Sequence, residues 1–422
     1  MTDLAHTPQE LLSRLESTKQ ASRQLNAASP GTRDAALAAL AEGLAADAEQ
    51  IVAANVLDLE RGVRDGMTQG LQDRLRLTPE RVEGLVEAVK VIASLPDPLG
   101  HVVREMTLAN GLEVSQVRVP FGVIGAIYEA RPNVTVDITA LALKSGNAVA
   151  LRGGSAALET NKALVEIMHR ALESVGLPAA IVASVDDYGR VGANALMTGR
   201  GLIDVLIPRG SAALIETVVT QSTVPVIETG AGVVHIFVDA SADPVSTAEI
   251  VHNAKVQRPS VCNSVETVLL HREALEGVLP GMVAKLLESG VTIHADDTVC
   301  ALVPDAVAAT PEVWGREALS LDISLKVVDS LDEALEHIHT YSTGHTESIL
   351  TSDSDNAERF VHEVDSAAVM VNASTRFTDG GEFGFGAEVG ISTQKLHARG
   401  PMGLPELTST KWIVRGNGHV RA

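Results

Sequence analysis

Apolar residues recur at helical spacing in the first part of the chain and give way to short apolar runs farther along. Residues 7–95 contain Ala-rich amphipathic segments, which predict a series of helices. Residues 102–119 carry alternating side chains on both sides of Asn110-Gly111, a dipeptide that favours the tight turn of a β-hairpin. We therefore expect a helical N-terminal region followed by a hairpin.

From residue 123 onward, short apolar runs alternate with helical segments, an order that is typical of parallel strands joined by crossover helices. The last apolar run, TKWIVRG, has no evident partner in its own domain. The pattern as a whole predicts an α/β protein. Strands of a first series are predicted at 123–130, 147–152, 202–208 and 224–228, and those of a second series at VVHIFVD, ETVLLH, VTIHAD, LKVVDS, SILTSD and SAAVMVN.

Composition supports this fold class and narrows the possible partners. Aromatic residues make up 3% of the 422 residues, and small residues such as the 35 glycines let helices lie close on a sheet. The formal net charge of −21 argues against nucleic acid as a partner, because phosphates are repelled at long range. The N-terminus has no apolar signal segment, and no apolar run approaches the roughly 20 residues of a membrane helix. Two cysteines suggest no disulfide framework, so we expect a reducing compartment, the cytoplasm.

Two glycine-containing segments are candidates for phosphate binding. Gly230-Ala231-Gly232 lacks the third glycine of the dinucleotide fingerprint, because His235 stands in its place, so an ordinary turn is the better explanation of this segment. Arg152-Gly153-Gly154-Ser155 follows a predicted strand and precedes a predicted helix, the position at which open α/β sheets bind ligands. An ordinary βα loop remains the alternative for this segment.

Cys262 is the candidate nucleophile. Its neighbours, QRPSVCNS, are mostly polar and lie between a predicted helix and a predicted strand, which indicates an exposed loop held by rigid elements. A thiolate attacks efficiently when a nearby cation or base favours the charged form. The alternative for any single cysteine is a small buried hydrophobe, and Cys300 in the apolar run DTVCALV fits that description.

Several long segments carry a resemblance to a known family. They include VPFGVIGAIYEARPNVTVD (119–137), ALKSGNAVALRGGSAALETN (142–161), VQRPSVCNSVETVL (256–269) and GFGAEVGISTQKLHARGPMGL (384–404). The chain resembles the aldehyde dehydrogenase superfamily and, within it, the γ-glutamyl phosphate reductase family. The resemblance implies an aldehyde dehydrogenase-like fold with a Rossmann-like NADP-binding domain, an α/β catalytic domain and a small β hairpin for oligomerisation.

The same resemblance implies that the chain is divided into three functional parts. Residues 1–228 would bind the cofactor and include the oligomerisation hairpin at 102–119. Residues 229–372 would form the catalytic domain that carries the nucleophilic cysteine. Residues 373–422 would form an active-site tail and an oligomerisation strand.

Three catalytic positions are carried over by the resemblance. Cys262 falls at the nucleophile of the family, and Asn133 falls at an asparagine whose amide binds the oxyanion. An amide N–H directed at a developing oxyanion stabilises it, although Asn133 also fits the N-cap of the helix that follows. Glu228 falls at the general base of the oxidising members, which activates water. A reductase does not need that water, so we expect Glu228 to be dispensable for reduction, with orientation of its loop or deprotonation of the Cys262 thiol as its remaining possible roles.

The resemblance also implies the ligand-binding residues. Oxidising members have Lys-Pro-Ser-Glu where this chain has Arg152 to Ser155, and the loss of the Glu removes the acid that would repel a 2′-phosphate. NADPH is therefore the expected cofactor, and no metal is expected. Further cofactor residues are Arg209, Gly210, Ser211 and Glu317, and candidates for the substrate's amino and carboxylate groups are Arg131, Asn372, Ser374, Thr375, Arg376 and Arg399.

The resemblance also implies a function. We expect an NADP-dependent acyl phosphate reductase that converts L-γ-glutamyl 5-phosphate to L-glutamate 5-semialdehyde through a Cys262 thioester, in proline biosynthesis. Glutamate 5-kinase would supply the substrate, and the protein would be a homo-oligomer. The nearest alternative is an NAD(P)-dependent aldehyde dehydrogenase that oxidises a small aldehyde; a cysteine hydrolase and an acidic scaffold are the other possibilities.

Overall fold

The computed structural model describes residues 7–421, which form two compact units. The first unit contains residues 7–229, and the chain returns to it at 384–390 and 402–421. The second unit contains the remainder, 230–383 and 391–401. No helix within the described residues is long and apolar enough to cross a membrane.

The partition differs from the predicted one at the C-terminal end. The predicted tail, 373–422, is not a separate part, because its residues are shared between the two units. The first boundary lies after Thr229 rather than after residue 228. Residues 1–6 of the predicted cofactor-binding part and residue 422 of the tail lie outside the described residues.

Helices fill the first part of the first unit, as the sequence predicts. Two of them begin at a hydroxyl N-cap followed by proline: Ser29 accepts from the Thr32 amide, and Thr78 accepts from the Arg81 amide. Their buried faces consist mainly of Leu, Ala and Val. The helices are α1 (Gln9–Ala27), α2 (Pro30–Ala46), α3 (Ala48–Arg64), α4 (Gln69–Leu75) and α5 (Pro79–Ser94).

The hairpin predicted at 102–119 is confirmed, with strands β1 (Val102–Thr107) and β2 (Glu113–Pro120) paired antiparallel. The apolar run near the C-terminus forms β16 (Thr408–Arg415), which pairs antiparallel with the free edge of β2. The expectation that this run has no partner in its own domain is therefore wrong. The sheet order β1-β2-β16 is completed within one chain, so pairing this strand does not require a second subunit.

A parallel sheet of order β5-β4-β3-β6 forms the centre of the first unit. Its strands are apolar and buried on both faces, as parallel strands covered by helices usually are. The elements of this sheet are β3 (Val123–Tyr128), α6 (Pro132–Lys144), β4 (Ala148–Arg152), α7 (Leu158–Ser174), β5 (Val182–Ser184), α8 (Gly189–Thr198), β6 (Val205–Arg209) and α9 (Ala212–Gln221).

Two local predictions in this sheet are wrong. The strand predicted at 224–228 is reduced to one bridge, between Leu206 and Val226, because Pro225 has no N–H to continue a ladder. Strand β5 and helix α8 were not predicted. Strand β5 has three residues, and α8 contains two glycines, so neither gives a clear periodic signal.

The second unit is built on a seven-stranded parallel sheet of order β10-β9-β11-β8-β7-β12-β13, which confirms the predicted second series. Its core packs Val, Leu and Ile side chains of the central strands against helices α10 and α11. The elements are β7 (Val234–Val238), α10 (Pro244–Val256), β8 (Val265–His271), α11 (Leu275–Glu288), β9 (Thr292–Ala295), α12 (Asp297–Leu302), β10 (Val307–Ala308), β11 (Asp322–Val328), α13 (Leu331–Tyr341), β12 (Thr346–Leu350), α14 (Ser354–Glu363), β13 (Ala368–Val371), β14 (Ile391–Ser392) and β15 (Gly400–Pro401).

Candidate active site

In the first unit, the predicted cofactor residues lie at the carboxyl ends of neighbouring parallel strands. The loop 152–155 follows β4, the segment 129–131 follows β3, and the segment 209–211 follows β6. In the sheet, β4 and β5 lie on one side of β3, and β6 lies on the other side. Ligands of open α/β sheets bind outside the carboxyl ends of the strands at such a reversal of order, so the topology favours a ligand here.

The loop after β4 is held by a carboxylate from the neighbouring strand connection. The Gly153 amide donates to Asp186 Oδ1 at 2.6 Å, and a side chain at Gly153 would overlap the amide of Asn161. Gly154 has a φ of +80°, which favours glycine. Burial raises the pKa of Asp186, while the Gly153 amide, Asn161 and the Arg152 charge act in the opposite direction. The loop itself contains no acidic residue, as the sequence shows. The Asp186 carboxylate, from another segment, nevertheless lies against it.

The segment after β6 is tied to the segment after β3 across the reversal point. Ser211 caps α9 by accepting from the Leu214 amide, and its hydroxyl donates to Glu129 Oε2 at 3.2 Å. Gly210 leaves room for this carboxylate, because a side chain there would lie within 2.9 Å of it. Glu129 was not identified as a site residue from the sequence. It precedes Ala130, whose φ of +48° marks a strained bend of the backbone.

Asn133 lies in the first turn of α6, and its side chain is exposed. The helix begins at Pro132 with Arg131 as its N-cap residue, so the interpretation of Asn133 as a helix cap is wrong. Instead, Asn133 Nδ2 donates to Asp137 Oδ2 at 3.2 Å. Burial raises the pKa of Asp137 to about 6, although the hydrogen bond from Asn133 and the Arg209 charge both lower it.

Glu228 is half-buried in an extended segment whose neighbours are fixed on β6. The Ile227 amide donates to the Leu206 carbonyl at 2.9 Å, and Thr229 Oγ1 donates to the Pro208 carbonyl at 2.9 Å. Because side chains alternate along an extended segment, these two bonds direct Glu228 away from its neighbours. The backbone on both sides of Glu228 is thus fixed to β6.

In the second unit, Cys262 lies half-buried in the turn between α10 and β8, as the sequence predicts for a loop held by rigid elements. Its backbone packs directly on Gly232, where any side chain would overlap the Cys262 carbonyl. The second glycine of Gly230-Ala231-Gly232 is therefore required for close backbone packing against the cysteine turn. This contact accounts for a motif that has little value as a phosphate-binding signal.

The residue after the cysteine anchors the turn from its other side. Asn263 is buried; its Nδ2 donates to the Thr378 carbonyl at 2.9 Å, and its carbonyl accepts from Thr375 Oγ1 at 2.7 Å. Thr375, one of the substrate candidates, is fully buried and serves this anchoring role. The turn is thus fixed at Gly232 on one side and at the segment 375–378 on the other.

Arg376 is the candidate for the positive charge that stabilises a Cys262 thiolate. Its Nε donates to Gln257 Oε1 at 2.7 Å, within the segment that leads to the cysteine. Burial lowers the pKa of the Arg376 guanidinium, while attraction to Asp379 and to the Cys262 sulfur raises it. The attraction is mutual, so Arg376 favours the thiolate form of Cys262.

Glu317 has a partner next to the cysteine turn. Its Oε1 accepts from the Gly232 amide at 2.8 Å. The segment after it is held by a buried ion pair, in which Lys255 Nζ contacts Glu266 and the Ser320 carbonyl. Burial raises the pKa of Glu266 to about 7, with Lys255 acting against the shift.

The other substrate candidates of this unit have structural partners. Both amide atoms of Asn372 bind the backbone of Thr351, at 2.8 Å each, and Arg399 binds Asp365. Ser374 is buried and accepts from the Arg376 amide. Cys300 donates to the Ala295 carbonyl and packs on the core, as expected for a structural cysteine. Within residues 7–421, no cluster of His, Cys, Asp and Glu could hold a metal ion.

Comparison with known proteins gives a consistent result. Residues 5–308 match the model of the aldehyde dehydrogenase family. The chain is 62% identical to γ-glutamyl phosphate reductase of Leifsonia xyli over 99% of each chain, and 63% identical to that of Clavibacter michiganensis over 96% of this chain and 94% of the relative. The crystal structure of γ-glutamyl phosphate reductase from Thermotoga maritima superposes with a TM-score of 0.95 at 46% identity, covering 98% of this chain and all of that one.

Proposed function

The chain belongs to the aldehyde dehydrogenase family and, within it, to the γ-glutamyl phosphate reductases, and from this premise we propose its function. It reduces L-γ-glutamyl 5-phosphate to L-glutamate 5-semialdehyde and phosphate, in proline biosynthesis, with a nicotinamide cofactor. The observation that carries this proposal is the Cys262 turn, fixed by Gly232 and Asn263 and coupled to Arg376, in a chain with reductase relatives over its full length.

The chemistry uses the leaving group that the substrate already has. The Cys262 thiolate attacks the acyl carbon, the C–O bond to phosphate breaks, and phosphate leaves with the electron pair to give a thioester. An N–H of Asn133 stabilises the oxyanion formed in the addition steps. The nicotinamide cofactor supplies the hydride. Cys262 then departs as a thiolate when the aldehyde is released, so the thiol is regenerated and no water is consumed.

NADPH is the cofactor that we propose, held by Arg152, Gly153, Gly154 and Ser155, by Arg209, Gly210 and Ser211, and by Glu317. The fit is supported by Arg152, whose buried Nε has no partner within the described residues and whose charge can face an added phosphate. Gly154, with its positive φ, keeps a side chain out of the loop after β4. The Gly153 amide is bonded to Asp186, so we propose that the Arg152 cation, rather than the loop amides, binds the phosphate.

A negative charge at Ser155 should discriminate between the two nicotinamide cofactors. Ser155 is exposed at the end of this loop, so Ser155→Glu should fold and should repel a 2′-phosphate. We expect NADPH binding to weaken by about 1–3 kcal/mol more than NADH binding. Fluorescence titration with both cofactors measures the difference, and Ser13→Glu, on the exposed face of α1, is the matched control. Equal weakening for both cofactors would contradict the assignment.

The overall reaction is tested in reverse. Semialdehyde, phosphate and NADP⁺ should give NADPH absorbance, and omission of phosphate should stop it, because phosphate is the acceptor of the acyl group. Oxidation that continues without phosphate would identify an aldehyde dehydrogenase that releases the acid. In the forward direction, release of glutamate and phosphate from the acyl phosphate without any change in NADPH absorbance would identify a hydrolase.

Glu228 should be dispensable for reduction. Glu228→Gln keeps the shape of the side chain and removes its charge, while the Ile227 amide and the Thr229 hydroxyl, both bonded to β6, keep the segment in place. We expect turnover with the acyl phosphate to fall less than about tenfold across pH 7–9, well below the 10²–10⁴ that general-base catalysis contributes. A larger loss that high pH rescues would show that Glu228 is the base of the thiol.

A homo-oligomer is also part of the proposal, formed through the outer face of the sheet β1-β2-β16. Met106, Val114, Trp412 and Val414 share this face by strand register, and Trp412 and Val414 are 50% and 57% exposed. Exposed apolar patches on a sheet are typical of association sites. Val414→Lys should lower the mass measured by light scattering, whereas Val420→Lys, outside the sheet, should not. An unchanged mass for Val414→Lys would contradict this interface.

The substrate suggests where the enzyme works. Acyl phosphates hydrolyse in water, so we propose that a kinase acting on the γ-carboxylate, glutamate 5-kinase, supplies the substrate close by. The nucleophile must stay reduced, and both cysteines are free thiols, which suits the cytoplasm. Among the candidates for the amino and carboxylate groups of the substrate, Arg131 and Arg376 remain part of the proposal.

A further inference from the structure

Asp137 has no role in the mechanism described above, yet its carboxylate is the hydrogen-bond partner of the oxyanion residue. It follows Asn133 by four residues on α6, so the two side chains lie on one face of the helix. Asn133 Nδ2 donates to Asp137 Oδ2 at 3.2 Å. We propose that Asp137 is a positioning residue, which holds the Asn133 amide with its nitrogen available to the oxyanion; this inference rests on the proposed function of Asn133.

The argument starts from the two faces of an asparagine amide. The amide presents two N–H groups on one side and an oxygen on the other, and rotation about its last torsion exchanges them at little cost. An oxygen directed at the oxyanion would repel it, so only one orientation stabilises the reaction. An ionised carboxylate can only accept hydrogen bonds, and it therefore selects the orientation in which Nδ2 faces Asp137. One N–H is used for this bond, and the second N–H of the same nitrogen remains available.

The charge of the carboxylate needs compensation, because a negative group near the oxyanion would oppose its formation. Arg209, at the end of β6, is the charged side chain whose attraction acts on Asp137 within the described residues. Gly390 leaves the space that the Arg209 guanidinium occupies, since a side chain there would overlap it. The ion pair between Lys144 and Asp34 lies at the opposite end of the helix from Asp137. Arg209 thus offsets the carboxylate while the hydrogen bond still orients the amide.

The protonation state of Asp137 adds a pH dependence. Burial raises the pKa of Asp137 to about 6, so the carboxylate is ionised at neutral pH and becomes protonated as the pH falls below that value. A protonated carboxyl can donate to the Asn133 oxygen, and the amide can then turn its nitrogen away from the oxyanion. Turnover should therefore fall as the pH decreases through about 6, and this loss should depend on Asp137.

The test is a double-mutant cycle on the purified enzyme with the acyl phosphate and NADPH. Asp137→Asn keeps the size of the side chain, but it can pair with either orientation of Asn133. We expect kcat to fall about 10- to 100-fold, less than the 10²–10³ of losing the donor itself. The KM values for both substrates should change less than about threefold, because the change acts on the oxyanion rather than on ground-state binding. The decrease of kcat through pH 6 that depends on Asp137 should also disappear.

Asn133→Ala provides the background that separates the possible outcomes. If Asp137 acts through Asn133, then adding Asp137→Asn to Asn133→Ala should lower kcat no further. Independent, multiplying losses in the double variant would overturn the positioning role while leaving the role of Asn133 intact. A normal kcat in Asn133→Ala alone would instead overturn the proposed role of Asn133 and this inference with it. Circular dichroism of each variant checks that the fold is unchanged.

Discussion

The Cys262→Ala variant should lose turnover by about 10⁴-fold or more, since removal of a covalent nucleophile leaves no path to the thioester. The second cysteine cannot replace it, because Cys300 lies on α12 with its Sγ bonded to the Ala295 carbonyl. Binding of NADPH, followed by fluorescence, should persist because the substitution removes one half-buried sulfur and no cofactor contact. Mass spectrometry of the wild type with acyl phosphate, in the absence of NADPH, should detect the acylated cysteine.

Cys300→Ala is the matched control for this experiment. It removes the other free thiol of the chain and should change turnover less than about twofold. Turnover of Cys262→Ala within tenfold of the wild type would contradict covalent catalysis. Acylation at Cys300 in place of Cys262 would contradict the choice of nucleophile.

The Gly232→Ala variant should lose turnover by about 100-fold or more, although it adds a single methyl group outside the reacting atoms. The new Cβ would overlap the Cys262 carbonyl. Because this carbonyl belongs to the backbone, no side chain can rotate to relieve the overlap. The turn must shift, and a displacement of about 1 Å at a nucleophile costs about 10²-fold in rate. The same shift would disturb the bond between Glu317 and the Gly232 amide, so the KM for NADPH should rise as well.

Gly281→Ala tests whether the effect belongs to this position. Gly281 lies on α11 with open space around it, and alanine there should leave turnover unchanged and stabilise the helix by up to about 1 kcal/mol. The alkylation rate of Cys262 by iodoacetamide gives a second readout, because a displaced turn changes the exposure of the sulfur. Wild-type turnover and alkylation in Gly232→Ala would show that the turn can absorb the methyl group and that its tight packing is not needed.

Much of the architecture could be predicted because it depends on local patterns of apolar and polar residues. Alternation of apolar strands and amphipathic helices predicts the parallel sheets, and Asn110-Gly111 predicts the hairpin. Short or glycine-containing elements such as β5 and α8 leave too weak a periodic signal. The partner of TKWIVRG could not be found either, because antiparallel pairing with β2 joins segments that are distant in the sequence.

The candidate site was predictable to a smaller extent. The polar neighbours of Cys262 mark an exposed turn, but the reason for Gly232 is a backbone contact between separate segments, which no local motif reports. Asp186 was missed for a related reason, since its place beside Gly153 depends on strand β5. Asp137 could have been found, because a carboxylate four residues after Asn133 in a predicted helix is a recognisable pair.

The return of the chain to the first unit has a consequence for its synthesis. Strand β16 can close the sheet on β2 only after the ribosome has added residues 121–415, because their paired residues include Thr408 with Pro120 and Arg415 with Glu113. Such long-range pairings form late, since loop closure must precede them. Until then the nascent hairpin presents an open edge that can pair with another polypeptide. Translation that stops before residue 402 should therefore yield an aggregation-prone product, even though Cys262 and its turn have already been made.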